Sequence, residues 1–168
     1  MNDTAVHVQE TAQIVPVPWP WDPNEYVTRV AEYRQRPITV CPIDANALSG
    51  AGCGTGSGLW IAREHDDIIM VGTETEWHAG HIIAHEIGHM LLGHGSSTPE
   101  PDGDVLPLQT LMPLLDPASI RSVLWRRDYG TAREQAAESF AGLVMVEATL
   151  PRRRPSPFRS TFFLGRHR

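Results

Sequence analysis

The run IIAHEIGHMLLGH, from Ile82 to His94, constrains this chain more than any other stretch. Ile82, Ile83, Ile87, Met90 and Leu91 recur at the spacing of one buried helix face, and Gly93 is a natural helix stop. The pattern predicts a helix from Trp77 to Gly93. Residues four apart on a helix lie one turn apart on the same face. His85 and His89 can therefore aim two imidazoles at one ion from a single rigid element, with Glu86 beside them. Zinc held by three protein ligands keeps a fourth position for water and lowers that water's pKa toward neutrality. In such a site Glu86 is the general base on the zinc-bound water and hands the proton to the leaving amine. A charged glutamate in so apolar a helix is costly unless it belongs to a functional cleft. The competing reading is a core helix whose histidines are satisfied by neighbours.

Two local histidines are candidates for the third ligand. In the pattern HExxHxxGxxH a glycine and a histidine follow the second ligand by three and six residues. Here Gly93 and His94 follow His89 by four and five, so the spacing fails. His81 lies one turn before His85 and is the other nearby candidate. A glutamate from a second helix would instead complete a His₂Glu site. The segment from Thr131 to Leu150 reads as a long helix, with Thr131 and Glu134 in a capping-box pattern. It carries Glu134 and Glu138 one turn apart, and Phe140, Leu143 and Val144 could seat it against the first helix. One carboxylate would bind the ion; the other would accept a hydrogen bond from a ligating imidazole. Alternatively the two acids are a solvated surface pair. A His₂Glu set suits zinc best, and manganese or iron can also occupy it.

Elsewhere the signals are weaker. Asp22-Pro23 looks like an N-cap with proline at the first helical position, opening a helix that ends before Pro37. PITVCPI (37–43) is a strand candidate, and LWIARE (59–64) with DIIMVG (67–72) forms a hairpin pattern around His65 and Asp66. DPASIRSVLWRRD (116–128) reads as a further helix. LSGAGCGTGSG (48–58) has glycine at every second position from Gly50 to Gly58. A phosphate-binding loop needs a following Gly-Lys-Ser/Thr, and the chain contains no lysine, so the stretch reads as a flexible loop.

The chain has 168 residues, ordinary for one domain with a substantial core. No apolar run approaches membrane-spanning length, and GLVMVEATL is interrupted by Glu147. MNDTAVHVQETAQIVPVP lacks the basic and apolar regions of a signal peptide. Cys41 and Cys53 form no CxxC pair, and a reducing compartment would keep them as thiols. A cytoplasmic location with no membrane contact is expected. Charge is uneven: residues 151–168 carry six arginines and no acids, whereas residues 1–150 hold eight arginines against twenty acids, or −12. Nucleic-acid contact through that basic tail is one option; folding back on the acidic body is another.

HEIGHMLLGH (85–94), followed some forty residues later by EQAAESFAGLVM (134–145), resembles the ImmA/IrrE family of gluzincin-type metallo-endopeptidases. That family shows HE(L/I)GH with a trailing LLGH, then E-x-x-A-(N/D/E)-x-(F/L)-A, matched here by Glu134, Ala137, Glu138, Phe140 and Ala141. The resemblance covers about residues 22–148. It implies that His85, His89 and Glu134 hold one Zn²⁺, that Glu86 is the catalytic base, and that Glu138 holds a ligating imidazole. Family members often have Asn or Asp where Glu138 stands, and the longer side chain leaves Glu138 as an alternative metal ligand. A proline that often ends the aliphatic stretch is absent at Val146.

The resulting expectation is an α+β, zincin-like domain. It would be mainly helical, with a short antiparallel hairpin sheet packed on the HExxH helix and a peptide added at that sheet's edge. Its parts would be an irregular proline-rich segment (1–21), the peptidase-like domain (22–150) and a flexible arginine-rich tail (151–168). The implied function is cleavage of a specific intracellular protein, typically a transcriptional repressor. The alternative is a non-catalytic zinc-containing module that binds a DNA-binding partner.

Overall fold

The computed structural model describes residues 3–44, 58–72, 75–95, 119–123 and 131–151. Among them lie four helices, α1 (Asp3–Ala12), α2 (Pro23–Arg34), α3 (Glu76–Leu91) and α4 (Thr131–Thr149). Four strands, β1 (Ile38–Pro42), β2 (Gly58–Arg63), β3 (Asp67–Val71) and β4 (Ile120–Val123), make one sheet in the order β1-β3-β2-β4. The class is α+β, and no described helix is long and apolar enough to cross a membrane.

α2 starts where the sequence says it should. Asp22 Oδ1 accepts from the backbone N–H of Asn24 at 2.8 Å and of Glu25 at 3.2 Å, and Pro23 occupies the first turn. The β2–β3 hairpin forms as expected, with Gly58 opposite Val71 and Ala62 opposite Asp67. The sheet is mixed rather than antiparallel, because β1 runs parallel to β3. Both hairpin strands are therefore central, and the outer strands are β1 and β4. The hairpin's own edges are taken by β1 and β4.

β3 is buried along its whole length, as a central strand should be. Its first residue, Asp67, is fully buried and answered by three donors. Arg34 pairs with Oδ2, Arg36 Nε reaches Oδ2 at 2.9 Å, and Trp60 Nε1 donates to Oδ1 at 2.9 Å. Arg36 also donates to the carbonyls of Arg63, Glu64 and Asp66, clamping the β2–β3 turn onto the end of α2.

Two expectations are corrected. Residues 1–21 are not irregular throughout: Asp3–Ala12 is helical and packs on α4. The prolines that suggested irregularity begin only at Pro16, and Val8, Ala12, Val15 and Val17 join the main core. The segment thus shares one core with the described residues of 22–150. The helix expected over 116–128 is replaced, in its described part, by β4 pairing antiparallel to β2. Ile120 and Val123 are β-branched, and an open edge on β2 supplies backbone partners that the local helical pattern could not foresee. The arginine tail beyond Pro151 and the glycine-rich residues before Gly58 lie outside the described residues.

α3 packs against α4, α2 and the strands β2 and β3. Ile82, Ile83, Ile87 and Met90 are buried with Tyr26, Val30, Ile69, Phe140 and Val144 in one cluster. Of the residues expected to seat α4, Phe140 and Val144 do so, whereas Leu143 faces outward with 41% exposure.

Candidate metal centre

The site grows from the crossing of α3 and α4. A Cβ on Gly88 would lie 3.1 Å from Phe140 Cδ1 and 3.3 Å from Ala137 Cα. Glycine in HEIGH thus lets the two backbones approach closely. The stripe of α4 that meets α3 runs through Glu134, Ala137, Ala141 and Val144 at helical spacing. This places the Glu134 carboxylate over the two imidazoles instead of turning it back toward Thr131 as a capping box would.

His85 Nε2 and His89 Nε2 are 3.1 Å apart. Glu134 Oε2 is 3.6 Å from His85 Nε2, and Oε1 is 3.3 Å from His89 Nε2. Among the described residues these three form the group whose ligand atoms, all within 4.8 Å of one another, could share an ion. An ion bound at roughly 2.0–2.2 Å to tetrahedral N and O ligands separates those ligands by about 3.4 Å. The three observed separations bracket that value. Glu134 Oε1 is buried and has no hydrogen-bond partner. A buried acceptor left over beside two imidazole nitrogens is a defect in an apolar core but correct for a cation. The residues present therefore fit zinc.

The outward-facing nitrogens are also held. Glu138 Oε2 lies 3.3 Å from His85 Nδ1, and its Oε1 lies 3.3 Å from His81 Nε2. His94 Nδ1 lies 2.8 Å from His89 Nδ1. The contact with His94 has a backbone cause. Gly93 has φ +73°, Gly93 N–H donates to the Met90 carbonyl at 3.4 Å, and His94 N–H to the His89 carbonyl at 3.0 Å. These are the two bonds of a Schellman motif, which folds the residue after the left-handed glycine onto the residue five before it. Here that pair is His94 on His89, where an apolar contact is more usual.

With Nε2 of each ring turned to an ion, the proton of each imidazole would sit on Nδ1, where His89 meets His94 and His85 meets Glu138. Burial alone would lower the His85 pKa, but the hydrogen bond to Glu134 and the charges of Glu86, Glu134 and Glu138 outweigh it, and the net shift is upward. His89 faces the same Glu134 yet shifts downward, because it is fully buried and is repelled by His85 and Arg133. Burial, then the His89 and Arg133 charges, lower His94 to about 4, which keeps it a neutral acceptor. For Glu134, burial pushes upward, but the close approach of the His85 and His89 rings and their charges bring it to about 2.

Glu86 is fully buried on the sheet-facing side of α3, beside Gly58 of β2. The structure thus brings together His85, His89 and Glu134, with Glu138 behind His85 and Glu86 on the adjacent face. His81 and His94, weighed above as ligands, contact carboxylate and imidazole partners instead. The role of His94 was missed in the sequence, although His-x-x-x-Gly-His at a helix end carries the signal. Comparisons of this chain with family models, with curated proteins and with solved structures find no match.

Proposed function

We propose that this chain is a zinc-dependent endopeptidase with a zincin-like fold, of the ImmA/IrrE type, acting on an intracellular protein such as a transcriptional regulator. The observation that carries the reading is the convergence of His85 Nε2 and His89 Nε2, on the helix that also bears Glu86, with Glu134 of α4, all within 4.8 Å. The substrate class rests on the resemblance of HEIGHMLLGH and EQAAESFAGLVM alone.

His85, His89 and Glu134 would hold the ion through Nε2, Nε2 and a carboxylate oxygen. Bound there, zinc supplies Lewis acidity, acidifying a water and polarising a peptide carbonyl. Glu86 accepts a proton from the attacking water on its carboxylate and releases it to the amide nitrogen as the C–N bond breaks. Water is thereby added across the peptide bond with no net proton change at Glu86. Glu138 and His94 keep the two rings oriented through Nδ1. A substrate strand adding to the sheet would lie along β1 or β4.

The test is elemental mass spectrometry of the purified protein, followed by cleavage of candidate regulators. About one zinc per chain, lost in Glu134→Ala, is expected, together with cleavage that Glu86→Gln abolishes while zinc remains bound. A wild type that takes up no zinc after reconstitution would sink the metal centre. Zinc binding and partner binding without Glu86-dependent cleavage would leave the non-catalytic module.

A further inference from the structure

We infer that Gly58 is a positioning residue for Glu86: the space left by its missing side chain holds the Glu86 carboxylate. The inference rests on the metal-centre reading above and extends it to a residue outside both site helices. Gly58 is the last of the alternating glycines and the first residue of β2. Strand alternation puts Gly58, Trp60 and Ala62 on one face, and Trp60 and Ala62 pack in the cluster built around α3. At 60 that face accepts an indole. At 58 it accepts nothing: a Cβ would fall 2.6 Å from Glu86 Oε1 and 2.5 Å from Ile82 Cγ2. Backbone strain does not explain the glycine, since Gly93 is the only described glycine with positive φ. The requirement at 58 is space.

Ordinary carbon contacts begin near about 3.5 Å, so a methyl group at 58 would displace the Glu86 carboxylate by roughly 1 Å. The carboxylate is the end of a flexible side chain and can yield without unfolding the protein. A 1 Å misplacement of a reacting group is worth about 100-fold in rate. Gly58→Ala should therefore resemble Glu86→Gln and leave the His85, His89 and Glu134 ligand set intact.

Cobalt substitution tests this without a known substrate. The metal-free full chain is loaded with Co²⁺, and its visible spectrum is followed against pH for wild type, Glu86→Gln, Gly58→Ala and the double variant. The expected result is unchanged cobalt stoichiometry in all four. The pH-dependent spectral change seen in wild type should be lost in Glu86→Gln and shifted or lost in Gly58→Ala. Gly58→Ala should then have no further effect in the Glu86→Gln background. If Gly58→Ala unfolds because of Ile82, the Gly58→Ala/Ile82→Leu pair removes the branched methyl and leaves only the contact with Glu86. A wild-type pH profile in folded Gly58→Ala would overturn the inference, as would an equal effect of Gly58→Ala with and without the Glu86 carboxylate. Unfolding of both variants would assign Gly58 to the fold and overturn it too. A wild type that binds no cobalt would remove the metal centre itself, a failure distinct from these.

Discussion

Replacing His94 by alanine removes the Nδ1 that lies 2.8 Å from His89 Nδ1 and would accept its proton when His89 Nε2 binds an ion. The ring of His89 is then free to rotate and to exchange tautomers, and its Nε2 lone pair is no longer fixed toward Glu134. Loss of such an outer partner costs about 10- to 100-fold in metal affinity, or roughly 1.4–2.7 kcal/mol. The fold should barely notice. The Schellman bonds from Gly93 and His94 use backbone atoms only, so the end of α3 persists, and one neutral hydrogen bond contributes about 0.5–1.5 kcal/mol. His94→Asn places an amide oxygen near the position of Nδ1 and should recover most of the affinity. Competition with a chromophoric chelator gives the affinities, and urea unfolding of the metal-free proteins gives the stabilities. An affinity unchanged in His94→Ala would refute the orienting role. Binding abolished as completely as in Glu134→Ala would make His94 a ligand.

Three further outcomes follow from the same geometry. Glu138→Ala should weaken zinc by about 10- to 100-fold without abolishing it, whereas Glu134→Ala should leave the stoichiometry near zero; titration with a chelator distinguishes them. The pair of His85 and Glu134 makes the metal-free protein pH-sensitive in two directions. Glu134 is depressed to about 2 from 4.5, so its contribution is present above pH 4.5 and fades as pH falls toward 2. His85 is raised above 6.5, so its contribution is present below 6.5 and fades as pH rises through that higher value. His89 and His94, whose pKa values are lowered, act in the opposite sense: their contributions are lost as pH falls below 6.5. Calorimetry of metal-free wild type against Glu134→Gln isolates the pair: the difference should be largest between about pH 4.5 and 6.5, and no difference there would remove the pair from the account. Zinc affinity should climb with pH above 6.5 as the ion replaces the His85 proton. Asp67→Asn should lower unfolding free energy by about 3–5 kcal/mol in urea, because Arg34 and Arg36 lose their buried counter-charge; a change within error would show that Trp60 and the carbonyls alone hold the hairpin.

What the sequence made legible was local. The N-cap at Asp22, the β2–β3 hairpin and the helix bearing His85 and His89 each depend on residues a few positions apart. β4 was not legible, because Ile120–Val123 becomes a strand only by pairing with β2 some sixty residues earlier. α1 was hidden by the prolines that follow it, and its support comes from α4 at the other end of the chain. The choice between Glu134 and Glu138 was of the same non-local kind. Two identical side chains one turn apart cannot be told apart by spacing; the close approach at Gly88 and Ala137 decides which one reaches Nε2.

That choice also limits what Glu138 can do. The two nitrogens of an imidazole point away from each other, so a carboxylate held at Nδ1 cannot share an ion with Nε2 of the same ring. Glu138 contacts His85 at Nδ1, and its other oxygen is engaged with His81. To become the third ligand it would have to leave both histidines and cross the His85 ring, while Glu134 vacated the space between the two Nε2 atoms. The Glu at 138 bridges outward to His81, at 58% side-chain exposure, instead of inward to the two Nε2 atoms. An exposed carboxylate that holds two histidines can strengthen the basicity of His85 without competing for its metal. The extra methylene thus extends the network behind His85 and leaves His85, His89 and Glu134 as the group that could share an ion.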